Sequence, residues 1–345
     1  MKLALTAFTA RGLALAQRLA AALEAQGEDC VCAAPARLAQ GAGLSAYGSL
    51  SGWTGERFAD CGGLIFVGAS GIAVRAIAPW VRDKFTDPAV VGVDEAGRFA
   101  VPLLSGHAGG ANALARRLAA LTGGTAAVST ATDVNGLFAV DEWAVGQGLY
   151  LDGRSAAKHI SAALLAGESV GMESDFPIQG ELPSGVHFGP HRLGFCVTAQ
   201  AEKAPFAETL RLIPPVLTLG IGCRRGTGAQ TIADAVDGVL EAYGLSPRGV
   251  CRVCSIDLKQ DEPGLLEFCR RRDWPLTCFP ASALAGAEGE FTPSVFVART
   301  TGVDNVCERA AVLGSGGALL VKKTVGRGVT VAVAAAPFTV KFEGD

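Results

Sequence analysis

Residues 104–112 read LSGHAGGAN and join a titratable group to a freely bending backbone. A strand-like run, FAVPLL, feeds Ser105, Gly106 and His107, and Gly109 and Gly110 open an amphipathic run over residues 111–121. The imidazole of His107 titrates near neutrality and can move protons. The glycines let a ligand approach the backbone. A helix start offers unpaired N–H groups and partial positive charge to an anion. Ser105, Gly106, Gly109, Gly110 and Asn112 are therefore read as binding residues around His107. The alternative is a turn whose histidine caps a helix. Only 4 His occur in 345 residues, so this one stands out by placement.

A second loop, GIGCRRGTG at residues 220–228, follows the strand-like VLTLGIG. It lacks the Gly-Lys-Ser/Thr ending of a phosphate-binding P-loop, and its glycines break the G-x-G-x-x-G spacing. Arg224 and Arg225 sit inside it instead, before a helical run. A guanidinium pair beside a helix start receives carboxylate or phosphate. Gly222, Gly226 and Thr227 belong to the same expected site, and an exposed basic turn is the alternative. Lys322, Lys323 and Arg327 would either extend that positive lip or act as edge-strand charges. A third loop, GASGIAVR at 68–75, contributes Gly68, Ser70, Gly71 and Arg75, and a fourth is TARG at 9–12. Ligands of open α/β sheets bind on loops at the carboxyl ends of strands, where all four loops are expected.

The surrounding elements follow from periodicity. Residues 1–130 alternate strand-like runs (LALTAF, EDCVCAA, GLIFVGA, PAVVGVD, FAVPLL, TAAVST) with helical patterns over 11–26, 72–82 and 111–121. Such alternation predicts a mostly parallel sheet covered on both faces. Residues 131–212 hold one clear helix at 155–166 and short strands such as SVGMES, GVHFG and RLGFCVT among many Gly and Pro. Residues 213–345 restart the α/β pattern, with helices over 229–243, 264–272 and 303–313 and a terminal hairpin around Gly326-Arg327-Gly328. The predicted fold class is α/β: two α/β domains with mostly parallel sheets, joined by a small α+β middle region.

Composition narrows the function classes. The chain is 49% hydrophobic with a net charge of −3, which fits a globular protein and argues against nucleic-acid or polybasic membrane partners. No run reaches the length of a membrane span. The opening MKLALTAFTARGLALAQRLA is broken by Arg11, Gln17 and Arg18 and reads as strand plus helix, so the expected location is cytoplasmic. The 10 Cys are expected to be reduced core residues. Cys30 and Cys32 would share a strand face, while Cys251 and Cys254 would point to opposite faces. No metal site is expected.

These motifs carry a family resemblance. Residues 63–119, including GASGIAVR and SGHAGGAN, resemble the N-terminal domain of the cobalt-precorrin-5A hydrolases of anaerobic cobalamin biosynthesis. TLGIGCRRGTGAQTIADAV is similar to their C-terminal domain, which itself resembles a small stand-alone protein of the oxygen-dependent pathway. The resemblance implies an enzyme that opens a δ-lactone on the contracted tetrapyrrole and releases acetaldehyde, giving cobalt-precorrin-5B. The cobalt-tetrapyrrole partner brings its own metal, so no cofactor is implied. Hand-over to neighbouring corrin-pathway methyltransferases is implied as well. The substrate's many carboxylates suit arginine loops, and its flat shape suits a cleft between α/β domains.

In that chemistry His107 is the candidate general base for water, and N–H groups around Gly109 and Gly110 are candidate oxyanion donors. A second base is needed as the carbon–carbon bond breaks. Asp133 or Asp141, in ATDVNGLFAVDEW, would serve, or each would cap a helix or form a turn. Lys84 and Asp87 fall within the resembling stretch, although Asp87-Pro88 alone reads as a turn. His159, His187 and His191 are expected at the surface. The alternative function is a non-catalytic tetrapyrrole carrier, which needs the basic loops but not His107.

Overall fold

The computed structural model describes residues 1–83, 86–106, 109–130 and 135–342. The chain divides into two compact units, Met1–Val145 and Gly146–Asp345.

The first unit is built on a seven-stranded sheet. Its strands are β1 (Lys2–Ala7), β2 (Asp29–Pro35), β3 (Ser45–Tyr47), β4 (Gly63–Val67), β5 (Ala89–Val93), β6 (Phe99–Leu104) and β7 (Thr125–Ala126), in the order β3-β2-β1-β4-β5-β6-β7. β1 to β5 are mutually parallel; β6 runs antiparallel to β5, and β7 parallel to β6. Helices α1 (Ala10–Glu24) and α5 (Ala111–Thr122) bury Leu13, Leu19, Leu114 and Leu118 against one face. Helices α3 (Leu50–Asp60) and α4 (Ser70–Ile77) bury Trp53, Ala73 and Ile77 against the other. This is a doubly wound sheet, and β4 and β5 are buried along their whole length, as a two-sided sheet demands.

Two expectations change here. The helix expected over 72–82 spans Ser70–Ile77. Ala78 still donates to Val74 O, but Pro79 follows and has no N–H to continue the helical bonding. α3 was not read from the sequence, because Gly52 and Gly55 dilute its pattern. It forms because Ser49 caps it, accepting the Gly52 N–H at 3.2 Å, and because Trp53 reaches the core.

The second unit holds two five-stranded sheets. One orders β11 (Val186–His187), β9 (Val170–Ser174), β12 (Leu193–Val197), β13 (Glu208–Ile213) and β8 (Tyr150–Asp152). The other orders β16 (Leu276–Phe279), β15 (Val250–Ile256), β14 (Leu217–Cys223), β18 (Val329–Ala335) and β17 (Ala318–Gly326). A short parallel pair, β10 (Ile178–Gln179) with β19 (Val340–Lys341), ties the middle of the chain to its end. Phe176 packs on Phe338 nearby, with ring centroids 5.3 Å apart. The hairpin turns as expected, with Arg327 and Gly328 both at positive φ.

The helix expected over 303–313 spans Cys307–Ser315, and a separate helix before it, Val295–Thr301, closed by Gly302 at φ +79°, was not read from the sequence. Asn305 accepts the Glu308 N–H at 2.9 Å and starts the Cys307–Ser315 helix. Glu308, fully buried, then gathers Thr292 N–H (2.6 Å), Thr292 Oγ1 (2.9 Å), Asn305 Nδ2 (2.9 Å) and Lys323 N–H (2.6 Å). The cysteine argument also needs correction. A register shift between Leu217 and Thr218, opposite Val250 and Arg252, interrupts the alternation of β15. Cys251 turns its thiol onto Leu217 O at 3.3 Å and lies 3.9 Å from Thr218 Oγ1. The strict two-face separation from Cys254 therefore does not hold, because a bulge adds a residue to one strand. No helix among the described residues is long and apolar enough to cross a membrane.

Candidate functional site

The reversal between β5 and β6 decides which candidate residues can meet. Val90 lies opposite Leu104 and Val93 opposite Ala100, so β6 ends where β5 begins. Residues 105–106 and 109–110 therefore occupy the edge at which β1, β4 and β5 start. Residues 68–75 occupy the opposite edge, beyond Val67 and Val93. The five residues of β5, at about 3.3 Å each, separate the two. The sequence reading set both loops at one edge; one reversed strand sends them apart.

At the β6 edge the backbone folds back on itself. Ala111 N–H donates to Ser105 O at 3.1 Å, and Asn112 N–H to Gly106 O at 2.9 Å. Two N–H groups of the first turn of α5 are thus engaged inside the loop, which tightens the turn and removes them as anion donors. Gly110 caps α5 at φ +82°. Gly109 has no room for a side chain: a Cβ there would stand 2.3 Å from Ser105 Cβ. Asn112 is 1% exposed and donates through Nδ2 to Thr130 Oγ1 at 2.8 Å. This bond ties the loop to the segment that leaves β7. His107, Lys84 and Asp133 lie outside the described residues.

Ser105 itself combines two local costs. It takes φ +57°, which costs a non-glycine residue about 1–2 kcal/mol. It is 8% exposed and its Oγ has no hydrogen-bond partner among the described residues, a further cost of about 1–3 kcal/mol. Asp87, also buried, accepts the N–H groups of Arg82 (2.8 Å) and Asp83 (3.1 Å), and its carbonyl packs against Gly109. Asp141 is buried in the first turn of the helix Val140–Gly146, with Oδ1 accepting Glu142 N–H at 3.1 Å. An acid suits that end of a helix. Glu142 pairs with Arg116 of α5 at 3.7 Å.

At the opposite edge, β1 has β2 on one side and β4 on the other, so the sheet order reverses there. Thr9 Oγ1 accepts Gly12 N–H at 3.0 Å and caps α1. Gly68 takes φ +151°, and a Cβ on it would press on Phe8 at 2.9 Å. Ser70 opens α4, and the exposed Arg75 lays its guanidinium back over Gly71.

The arginine loop of the second unit occupies the corresponding place in its own sheet. β14 stands between β15 and β18, with the helix Ala229–Ala242 on one face and the helix Cys307–Ser315 on the other. Connections diverge beyond Cys223, which is where such sheets bind ligands. Thr227 N–H and Oγ1 both donate to Arg224 O, at 3.3 and 2.7 Å. Arg224 N–H donates to Gly328 O at 3.2 Å, fastening the loop to the hairpin turn. Gly226, at φ +76°, donates its N–H to Glu262 Oε1 at 2.7 Å.

Glu262 is 6% exposed and also holds Lys259 Nζ at 2.8 Å through Oε2. Lys259, then the Gly226 N–H, keep its carboxyl below the usual range, with Arg225 adding to the effect. The loop's buried acid is thus engaged elsewhere. Arg224 and Arg225 remain exposed and, among the described residues, without an ion-pair partner. Arg327, by contrast, pairs with Asp234 at 3.8 Å, and Lys323 Nζ reaches Thr292 O at 3.4 Å. Lys259, Glu262 and Gly264 were missed from sequence, although Glu-Pro-Gly at a helix start was the visible signal. Gly264 is needed because a Cβ there would meet Thr227 O at 1.9 Å.

Comparison with known proteins places this architecture. Three family models match along the chain: Cobalamin synthesis G N-terminal over residues 52–133, Cobalamin biosynthesis central region over 138–214, and Cobalamin synthesis G C-terminus over 217–334. The chain is thus a cobalamin-synthesis protein of the three-segment G type. The Cobalt-precorrin-5A hydrolase of Salmonella typhimurium is 36% identical, covering 97% of this chain and 97% of its own. The protein of that name from Priestia megaterium is 33% identical, over 80% of this chain and 79% of its own. Protein CobE of Sinorhizobium sp is 33% identical over 37% of this chain and 84% of its own. The chain belongs to the cobalt-precorrin-5A hydrolase family.

Proposed function

We propose that this chain hydrolyses cobalt-precorrin-5A: water opens the δ-lactone, and the freed alcohol loses acetaldehyde to leave cobalt-precorrin-5B. The lactone acyl carbon takes the oxygen of water and becomes a carboxylate. The ring oxygen leaves as an alcohol, which loses its proton as the adjoining carbon–carbon bond breaks, and the carbon left behind takes a proton. Full-length similarity to proteins of that name supports the reading. The structural observation that carries it is the pair Arg224 and Arg225, exposed and unneutralised at the carboxyl end of β14. A guanidinium pair in that state suits a substrate rich in carboxylates.

In this reading His107 takes the proton from water, and Asp133 or Asp141 takes the proton of the alcohol. Arg224, Arg225 and Thr227, on the turn of Gly222 and Gly226, hold peripheral carboxylates. Ser105, Gly106, Gly109, Gly110 and Asn112 form the lactone loop, and Gly68, Ser70, Gly71 and Arg75 a further carboxylate site. Cobalt is carried by the substrate. The reaction runs in the cytoplasm and its product passes to corrin-pathway methyltransferases. The test is incubation with cobalt-precorrin-5A and an acetaldehyde assay. Aldehyde in proportion to protein is expected; none above a protein-free control would overturn the proposal.

A further inference from the structure

Among the described residues, three non-glycines take positive φ: Ser105, Asp273 and Arg327. Asp273 closes the helix Pro263–Arg272 in the left-handed position that ends many helices. Arg327 lies in the hairpin turn, which requires that conformation. Ser105 has neither excuse. It stands between the last residue of β6 and the glycines that precede α5.

Its hydroxyl is enclosed and, among the described residues, unpaired. The other enclosed polar atoms without partners are on Thr54 and Arg57 of α3 and on Trp80, whose ring packs against Gly55 of the same helix. Ser105 alone joins an unpaired hydroxyl to a strained backbone at a strand-to-helix turn. Strain of this kind persists where the surroundings over-determine it, and it concentrates at working sites. The surroundings here are explicit: Ala111 and Asn112 clamp the carbonyls of Ser105 and Gly106, and Gly109 leaves space only for the serine Cβ. A sharp strand-to-helix turn is also where several hydrolases carry a nucleophilic serine, there with its Oγ exposed.

We propose that Ser105 is the acyl acceptor for lactone opening. The proposal rests on the lactone-opening reading above and replaces direct attack by water with two steps. Ser105 Oγ bonds to the lactone carbonyl carbon, the ring C–O bond breaks, and the serine proton ends on the ring oxygen as the free alcohol. Water then attacks the serine ester. Its oxygen stays on the acyl carbon as the carboxylic acid, and a proton returns to Ser105 Oγ. The sum is the same hydrolysis, with no oxidant or reductant.

The test pairs labelling with kinetics. A fluorophosphonate probe should modify the wild-type chain on the peptide that carries Ser105. Ser105→Gly removes the hydroxyl and the strain together, since glycine takes φ +57° freely. Its melting temperature should match or exceed wild type while acetaldehyde turnover falls at least about 10³-fold. Absence of label on Ser105 overturns the proposal. Turnover of Ser105→Gly within threefold of wild type overturns it equally, even with label present. If wild type takes the label yet releases no acetaldehyde, the nucleophile stands and the lactone reading falls.

Discussion

Glu262 and Gly226 meet across 36 residues of chain, the carboxylate Oε1 accepting the glycine N–H at 2.7 Å. This bond does two things. It fixes the turn that carries Arg224 and Arg225, and with Lys259 it holds the carboxylate so that it forms no ion pair with either arginine, although its charge still acts on Arg225.

Glu262→Ala should therefore loosen the loop. Losing a bond to a charged group costs about 1–3 kcal/mol, and most of it should appear as a KM about tenfold higher, with kcat within about threefold. The pH dependence has a definite sign. The folded carboxyl titrates below its ordinary value of 4.5, so its contribution is complete above that value and is lost as pH falls through the folded one. The stability gap between wild type and Glu262→Gln should close on acidification. A gap that widens in acid would contradict the assignment.

Arg224→Ala with Arg225→Ala should raise KM without lowering the melting temperature, because neither side chain has an ion-pair partner among the described residues. Each lost charge-assisted bond should cost about 1.5–3 kcal/mol. Steady-state kinetics beside a melting curve decides this, and an unchanged KM removes both residues from the site.

Two adjacent glycines should respond differently to alanine. Gly109→Ala forces a Cβ to within 2.3 Å of Ser105 Cβ, while a Cβ on Gly110 would meet none of the described residues within 4 Å. Gly110→Ala should cost about 1–2 kcal/mol for its left-handed backbone. Gly109→Ala should cost more and should also abolish turnover, since the Ser105 turn must move. Urea melts of the two variants give the comparison, and equal losses would refute the packing argument.

Glu308→Leu should be the most damaging of the substitutions considered. It leaves the Thr292 and Lys323 donors without their acceptor and takes one of two acceptors from Asn305 Nδ2, which keeps Thr292 O. Each buried donor left unsatisfied costs about 1–3 kcal/mol. Glu308→Gln, which keeps acceptor oxygen, should recover part of this in urea titrations.

His107→Asn should lower kcat roughly 10²–10⁴-fold, the usual worth of a positioned base, and leave the melting curve in place. Wild-type activity should rise with pH through the imidazole pKa, near 6.5 when unperturbed. Near-normal turnover of the Asn variant would leave His107 as a binding or capping residue.

The α/β pattern was readable because β4 and β5 are continuous apolar runs and α1 and α5 keep helical spacing. Strand direction was not. FAVPLL carries the same signal whether β6 runs with β5 or against it, so nothing in the run itself separated residues 105–110 from 68–75. α3 and β3 were hidden for another reason. Glycines and a strand of only three residues leave little periodicity, and tertiary burial of Trp53 supplies what propensity does not. At the arginine loop the visible motif was the pair of arginines. Their anchor, Glu262, sits on a different helix start, and proximity across that distance is a property of the sheet order rather than of spacing.

The short pairing of β10 with β19 bears on how the chain comes off the ribosome. Ile178 is synthesised long before Val340, and every strand of the second unit's arginine-bearing sheet is made in between. Closing so long a span carries an entropic cost that grows slowly with length, but it has to be met before the contact repays it. The last strand then works as a latch. Until Phe338 and Val340 have been made, the segment around Phe176 offers an uncovered edge and an unmatched aromatic ring, the kind of surface that chaperones bind. A nascent chain stalled shortly before residue 340 would be caught in that open state, with its metal-laden substrate out of reach of a finished enzyme.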